Sequence, residues 1–223
     1  MKRRLFILSG GLVMAAVLLS AAAIPAQQNL PSAHELAARV DRRYDQLQSL
    51  KAGFSESYAG LGMARTESGT LFLRKPGRMM WQYSTPQGKV FLLDGKFAWF
   101  YTKGDAQVQR IPANELDDLR SPLRFLLGHT QLEKELTGLT VAEGPDSSFT
   151  LTGVPKGQEK RVTRLTLTVT AAGLINAIEV EEADGGITRF VFTDEQPDAV
   201  VPAETFRFTP PPGVPVVDAM PPV

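Results

Sequence analysis

Cysteine is absent from the 223 residues. That excludes disulfides, thiolate metal sites and a lipid anchor on an N-terminal cysteine. Histidine is nearly absent, with only His34 and His129, and neither stands in a metal-ligand spacing. No G-x-S-x-G elbow and no phosphate-cradling glycine loop occurs. Charge of one sign is lacking too: 24 Lys+Arg balance 24 Asp+Glu. Nucleic acid needs a concentrated basic patch, so nothing points to it. No catalytic constellation remains, and no cofactor or metal is expected. The acidic group Glu179, Glu181, Glu182 and Asp184 reads as a solvated strand face and turn, because Ile178 and Val180 claim the opposite side.

Residues 1–26 read as a secretory signal peptide that is cleaved. Lys2, Arg3 and Arg4 open it, and Leu5 to Ala23 is almost wholly apolar. Ala21-Ala22-Ala23 or Ile24-Pro25-Ala26 offers the cleavage site. The run is long enough to span a bilayer, so a retained anchor is the alternative. The small residues and Pro25 that end it favour cleavage. Its loss removes three cations, leaving 21 Lys+Arg against 24 Asp+Glu, about −3. Residues 27–223 are enough for one domain with its own core, held by packing and strand pairing.

Ser32 stands three residues before Glu35, the spacing of a capping box. Leu36, Val40, Tyr44 and Leu47 then recur at helical spacing, and Leu50 continues the stripe. From Lys51 the period changes to two. Residues 68–83, SGTLFLRKPGRMMWQY, predict a strand, a corner at Lys75-Pro76-Gly77, and a second strand. On the second strand Met79, Trp81 and Tyr83 share one face. Asp94-Gly95 marks a hairpin, after which Phe97, Trp99 and Tyr101 line one face. Residues 112–136 look helical in pieces, with Ser121 as a cap and Leu123, Phe125, Leu126 and Leu127 making one piece apolar on most sides. Strands then resume to residue 195, and the chain ends in a docked segment before Pro210-Pro211-Pro212.

The sum is about eleven antiparallel strands, a long first helix and a few short ones. The class is mainly β within α+β, without βαβ alternation or internal repeat. Twist makes one large sheet curl. A second sheet covering it and a half-barrel with helical lids both satisfy the pattern.

The order of these pieces resembles the periplasmic outer-membrane lipoprotein carrier (LolA) family over nearly the whole mature chain. The residues that carry the resemblance are Leu50-Lys51-Ala52-Gly53-Phe54-Ser55-Glu56 after the helix, the hairpin at 68–83, LLDGKFAWFY at 92–101, SPLRFLLG at 121–128 and FRFTPPPGV at 206–214. The resemblance implies a single curved antiparallel sheet forming an incomplete barrel, covered by the long helix and short lid helices. It implies a periplasmic, monomeric carrier with no cofactor. Lipoproteins are the cargo, an inner-membrane lipoprotein-releasing ABC transporter the donor, and the outer membrane carries an acceptor. It also implies that acyl chains meet a cavity wall, here Leu71, Leu73, Met79, Trp81, Tyr83, Phe97, Trp99, Tyr101, Leu165, Leu167, Ile178 and Phe190. Leu123, Phe125, Leu126 and Leu127 would underlie the lid. The family's arginine before the hairpin proline bonds to carbonyls of a lid helix; Lys75 stands there, flanked by Arg74 and Arg78, as the expected latch. Periplasmic anti-sigma-factor regulators share the fold, so a lipid-sensing regulatory module is the alternative. Such regulators usually carry an additional domain, whereas this chain ends soon after the 206–214 segment.

Overall fold

The computed structural model describes residues 30–113, 126 and 131–218. The signal peptide and the helix expected at 121–128 lie outside them, apart from Leu126.

Helix α1 (Ala33–Gln46) begins as its sequence dictates. The Ser32 hydroxyl accepts the Glu35 N–H at 3.1 Å, and the Glu35 carboxylate accepts the Ser32 N–H at 2.9 Å. Two otherwise unmatched donors of the first turn are thereby satisfied. The helix stops at Gln46, with Leu47 already extended. Leu50 therefore does not continue the helical stripe as expected: it belongs to β1 (Ser49–Gly60) and reaches the same core from the sheet.

The strands that follow are β2 (Met63–Arg74), β3 (Arg78–Thr85), β4 (Lys89–Leu93), β5 (Phe97–Thr102) and β6 (Val108–Pro112). A short helix α2 (Leu132–Glu135) precedes β7 (Leu136–Glu143), β8 (Phe149–Pro155), β9 (Val162–Val169), β10 (Ile175–Glu182) and β11 (Ile187–Pro197). A last strand, β12 (Val216–Asp218), completes the set. All twelve form one curved, open sheet in the order β12-β6-β5-β4-β3-β2-β1-β11-β10-β9-β8-β7. The half-barrel alternative is thus the one adopted. Eleven strands were expected and all are antiparallel; the twelfth pairs parallel with β6, making the sheet mixed.

Two antiparallel meanders, β1–β6 and β7–β11, meet where β1 pairs β11. The core lies on the concave face, where α1 sets Leu36, Ala37, Val40 and Tyr44 against inward residues of both meanders. Gly173, in the β9–β10 turn, lets the turn approach that helix: a Cβ there would sit 2.6 Å from the Arg39 carbonyl carbon. The Tyr44 hydroxyl, buried at the centre, accepts the Ile175 N–H at 3.2 Å. Burial pushes its phenol above the ordinary range.

Candidate functional site

Strand register decides which side chains share the concave wall. On β2 and β3 the pairs Leu73 with Met79 and Leu71 with Trp81 set these four on one face. Next along, Trp81 pairs Phe91 and Met79 pairs Leu93. On the other meander Phe190 pairs Ile178, Ile178 pairs Leu167, and Leu165 lies two residues along on the same side. Phe190 faces Glu56 of β1, which joins the two halves into one surface. Trp81 is the hub, with Phe54 at 4.6 Å and Phe190 at 5.5 Å between ring centroids, both edge-on. Its indole N–H donates to the Met79 sulfur at 2.9 Å. Tyr83 extends the row and meets Phe54 edge-on at 5.0 Å.

Nine of the twelve predicted wall residues thus line this face: Leu71, Leu73, Met79, Trp81, Tyr83, Leu165, Leu167, Ile178 and Phe190. All but half-buried Tyr83 are buried, none more than 8% exposed. Phe97, Trp99 and Tyr101 are a correction. Register pairs Phe72 with Met80, Met80 with Leu92, and Leu92 with Trp99, so Trp99 and its alternating neighbours stand on the far face. There the Trp99 indole donates to Asp94 Oδ2 at 2.8 Å and stacks on Phe208 at 5.5 Å, while the Arg110 guanidinium covers Phe97 at 4.6 Å. The docked terminal segment covers that face, with Phe206 buried in it.

The corner at Lys75-Pro76-Gly77 reaches the C-terminal end of α1. The Lys75 ammonium donates to the carbonyls of Tyr44 and of Asp45, the latter at 3.0 Å. These are last-turn carbonyls without helical partners, at the negative end of the helix dipole. Burial draws the Lys75 ammonium below its ordinary pKa, and nearby Asp45 works against that. Arg74 turns elsewhere, donating to the Val201 carbonyl at 3.3 Å. Arg78 is half-buried at the start of β3.

Along its length α1 also contacts α2. The Asp41 carboxylate accepts the Leu132 N–H at 3.2 Å, and exposed His34 meets Glu133 at 2.9 Å. Burial raises the Asp41 carboxyl to about 6, helped by Asp45, Glu135 and Glu133 and opposed by the Leu132 N–H. Leu126 is buried and joins the concave core; Leu123, Phe125 and Leu127 lie outside the described residues. A separate groove of about 450 Å³ beside the C-terminal half of α1 is lined by Arg39, Arg42, Arg43, Leu47 and Asp198 among others. Its three arginines do not suit apolar cargo.

Sequence reasoning missed one polar feature of the wall. Glu56 of β1 and Glu67 of β2 face each other on the concave side, with the Tyr83 hydroxyl donating to Glu56 at 3.0 Å and Lys89 paired with Glu67. The available signal was parity: Glu56 alternates in step with Ala52, Phe54 and Tyr58.

Among the described residues no helix is long and apolar enough to cross a membrane. Residues 45–209 match the family profile described as "Outer membrane lipoprotein carrier protein LolA". A protein of Chromobacterium violaceum named outer-membrane lipoprotein carrier protein is 29% identical over 90% of this chain and 96% of its own length. A protein of the same name from Proteus mirabilis is 30% identical, over 80% of this chain and 86% of its own. The structure of an uncharacterized conserved protein from Thermus thermophilus superposes with a TM-score of 0.53 at 12% identity, covering 84% of this chain and 99% of that one, which is a likeness of fold. With the profile spanning most of the sequence and the half-barrel in place, the chain belongs to the LolA family of outer-membrane lipoprotein carrier proteins.

Proposed function

We propose that this protein is a periplasmic carrier that shelters the acyl chains of lipoproteins against its concave wall. The mature chain, residues 27–223, acts as a single monomeric domain. It takes its cargo from an inner-membrane lipoprotein-releasing ABC transporter and passes it to an outer-membrane acceptor, with no bond made or broken. The observation that supports this best is an apolar wall lying under a helix whose last-turn carbonyls take up the Lys75 ammonium. The names of the relatives point the same way.

All of the wall but Tyr83 is buried, so cargo enters only when its cover moves. The cover includes α1 and Leu126. Each methylene of an acyl chain is worth about 0.8 kcal/mol on leaving water, so a triacylated cargo holds to its membrane with tens of kcal/mol. A carrier must match that gross affinity yet still let go. A cover that has to open does so, because the rarity of the open state weakens net binding.

The test is displacement of an apolar fluorophore from the mature protein by a triacylated peptide. Saturable binding, displaced by that peptide and not by its unacylated form, is expected. Trp81→Phe should alter it and Trp99→Phe should not. Absence of saturable binding would refute the reading.

A further inference from the structure

We propose that Glu56, Glu67, Tyr83 and Lys89 form a polar end wall that limits how far an acyl chain runs along the concave face, and so select cargo by chain length. This rests on the carrier reading above.

The four residues lie on the lining face itself. Glu56 follows Phe54 on β1, Glu67 follows Leu71 on β2 across Gly69, Tyr83 follows Trp81 on β3, and Lys89 follows Phe91 on β4. From Leu73 to Glu67 is six residues of strand, about 20 Å at the usual rise. Apolar wall fills that span, and at its end the surface changes to carboxylates, a phenol and an ammonium. The change is compact and internally paired. Arg65 reaches Glu56 at 3.7 Å, and the Lys89 ammonium lies 4.3 Å above the Tyr83 ring. Two anions meet two cations, so the cluster offers no net charge to a ligand. It is also secluded: the Glu56 side chain is 9% exposed and that of Glu67 13%.

Stability does not explain such a cluster on an apolar face. Replacing a buried ion pair with packed apolar groups is often neutral or stabilising. What the cluster supplies is a boundary. A methylene that advances along Leu73, Leu71 and Trp81 leaves water for apolar contact. A methylene that reaches Glu67 and Lys89 meets a pair whose hydrogen bonds it cannot replace.

The experiment is fluorophore displacement by peptides bearing one saturated acyl chain of increasing length. For the wild type, affinity should rise roughly fourfold per added methylene and then level off. In the double variant Glu67→Leu with Lys89→Leu the rise should continue to longer chains, with short-chain affinity unchanged. Should that variant fail to fold, Glu67→Met with Lys89→Met keeps the length of both side chains without their polar ends and serves the same comparison. A folded variant that levels off at the wild-type length overturns the proposal and leaves the carrier reading standing. A wild type that binds no acyl chain of any length overturns both.

Discussion

Replacing Lys75 with leucine removes one ammonium and leaves most of the aliphatic stem. Two carbonyls at the end of α1, those of Tyr44 and Asp45, lose their donor. Hydrogen bonds to a charged group are worth about 1.5–3 kcal/mol. The charge near a helix C-terminus adds about 0.3–1 kcal/mol. Against this stands about 1.5–2 kcal/mol for holding a lysine in one rotamer. The net is about 1 kcal/mol, or roughly fivefold in the opening of the last turn of α1. The melting temperature should fall by only about 2–4 °C. Hydrogen exchange reads the local effect directly: the Leu47 amide, bonded to the Arg43 carbonyl at 3.2 Å, should exchange about fivefold faster. A more populated open state binds acyl chains more tightly, so transfer of lipopeptide to acceptor membranes should slow. Lys75→Arg should restore both readings. Unchanged exchange at Leu47 together with normal transfer would refute the latch.

Two further predictions concern how α1 is seated. Asp41 has its carboxyl raised from 3.8 to about 6, chiefly by burial, so its ionised form costs the folded state. That cost is absent below the unfolded value, grows between pH 4 and 6, and is constant above. The interval corresponds to about 3 kcal/mol in full, which solvent at this half-exposed site screens to about 1 kcal/mol. Asp41→Asn keeps an acceptor for the Leu132 N–H and should raise the melting temperature at pH 7.5, with the gain gone at pH 4; an equal gain at both pH values would contradict the assignment. Gly173 has φ of +83°, and its Cβ would strike the backbone of Arg39 and Val40. Gly173→Ala should therefore cost about 3 kcal/mol or more, seen as a lower urea midpoint, and a loss under 1 kcal/mol would show that the turn yields.

Much of this was legible because local chemistry and tertiary need agree. Ser32 and Glu35 fix the start of α1 whatever lies beneath it. Lys75-Pro76-Gly77 admits no strand, so the corner between β2 and β3 follows. Alternation also told which residues of one strand share a side. It did not tell which side. Trp99 and Trp81 both stand in alternating apolar runs, and only the pairing through Leu92 and Met80 separates their faces. Such pairing is a long-range fact set by turn geometry, and slipping it by one residue inverts every side chain. β12 was missed for another reason: Val216-Val217-Asp218 is too short to show a period and sits among prolines. The end of α1 was overrun because Leu50, though on a strand, points into the same core as the helical stripe. Glu56 was visible in parity, but a lone carboxylate in an apolar row gives no sign of Tyr83 until the strands are paired.

The twelfth strand has a consequence for solubility. A sheet that never closes has two rims, and each rim displays unpaired main-chain donors and acceptors that another copy can stitch onto. Full closure would abolish the rims, but this sheet stays open, with β12 and β7 at its two edges. Here three residues of tail lie along β6, fixed by the Val108 amide on the Pro215 carbonyl at 2.9 Å and by Arg110 on Asp218 at 2.7 Å. The tail thereby makes one rim of the open sheet a strand of only three residues, which offers a second copy few main-chain groups to pair with.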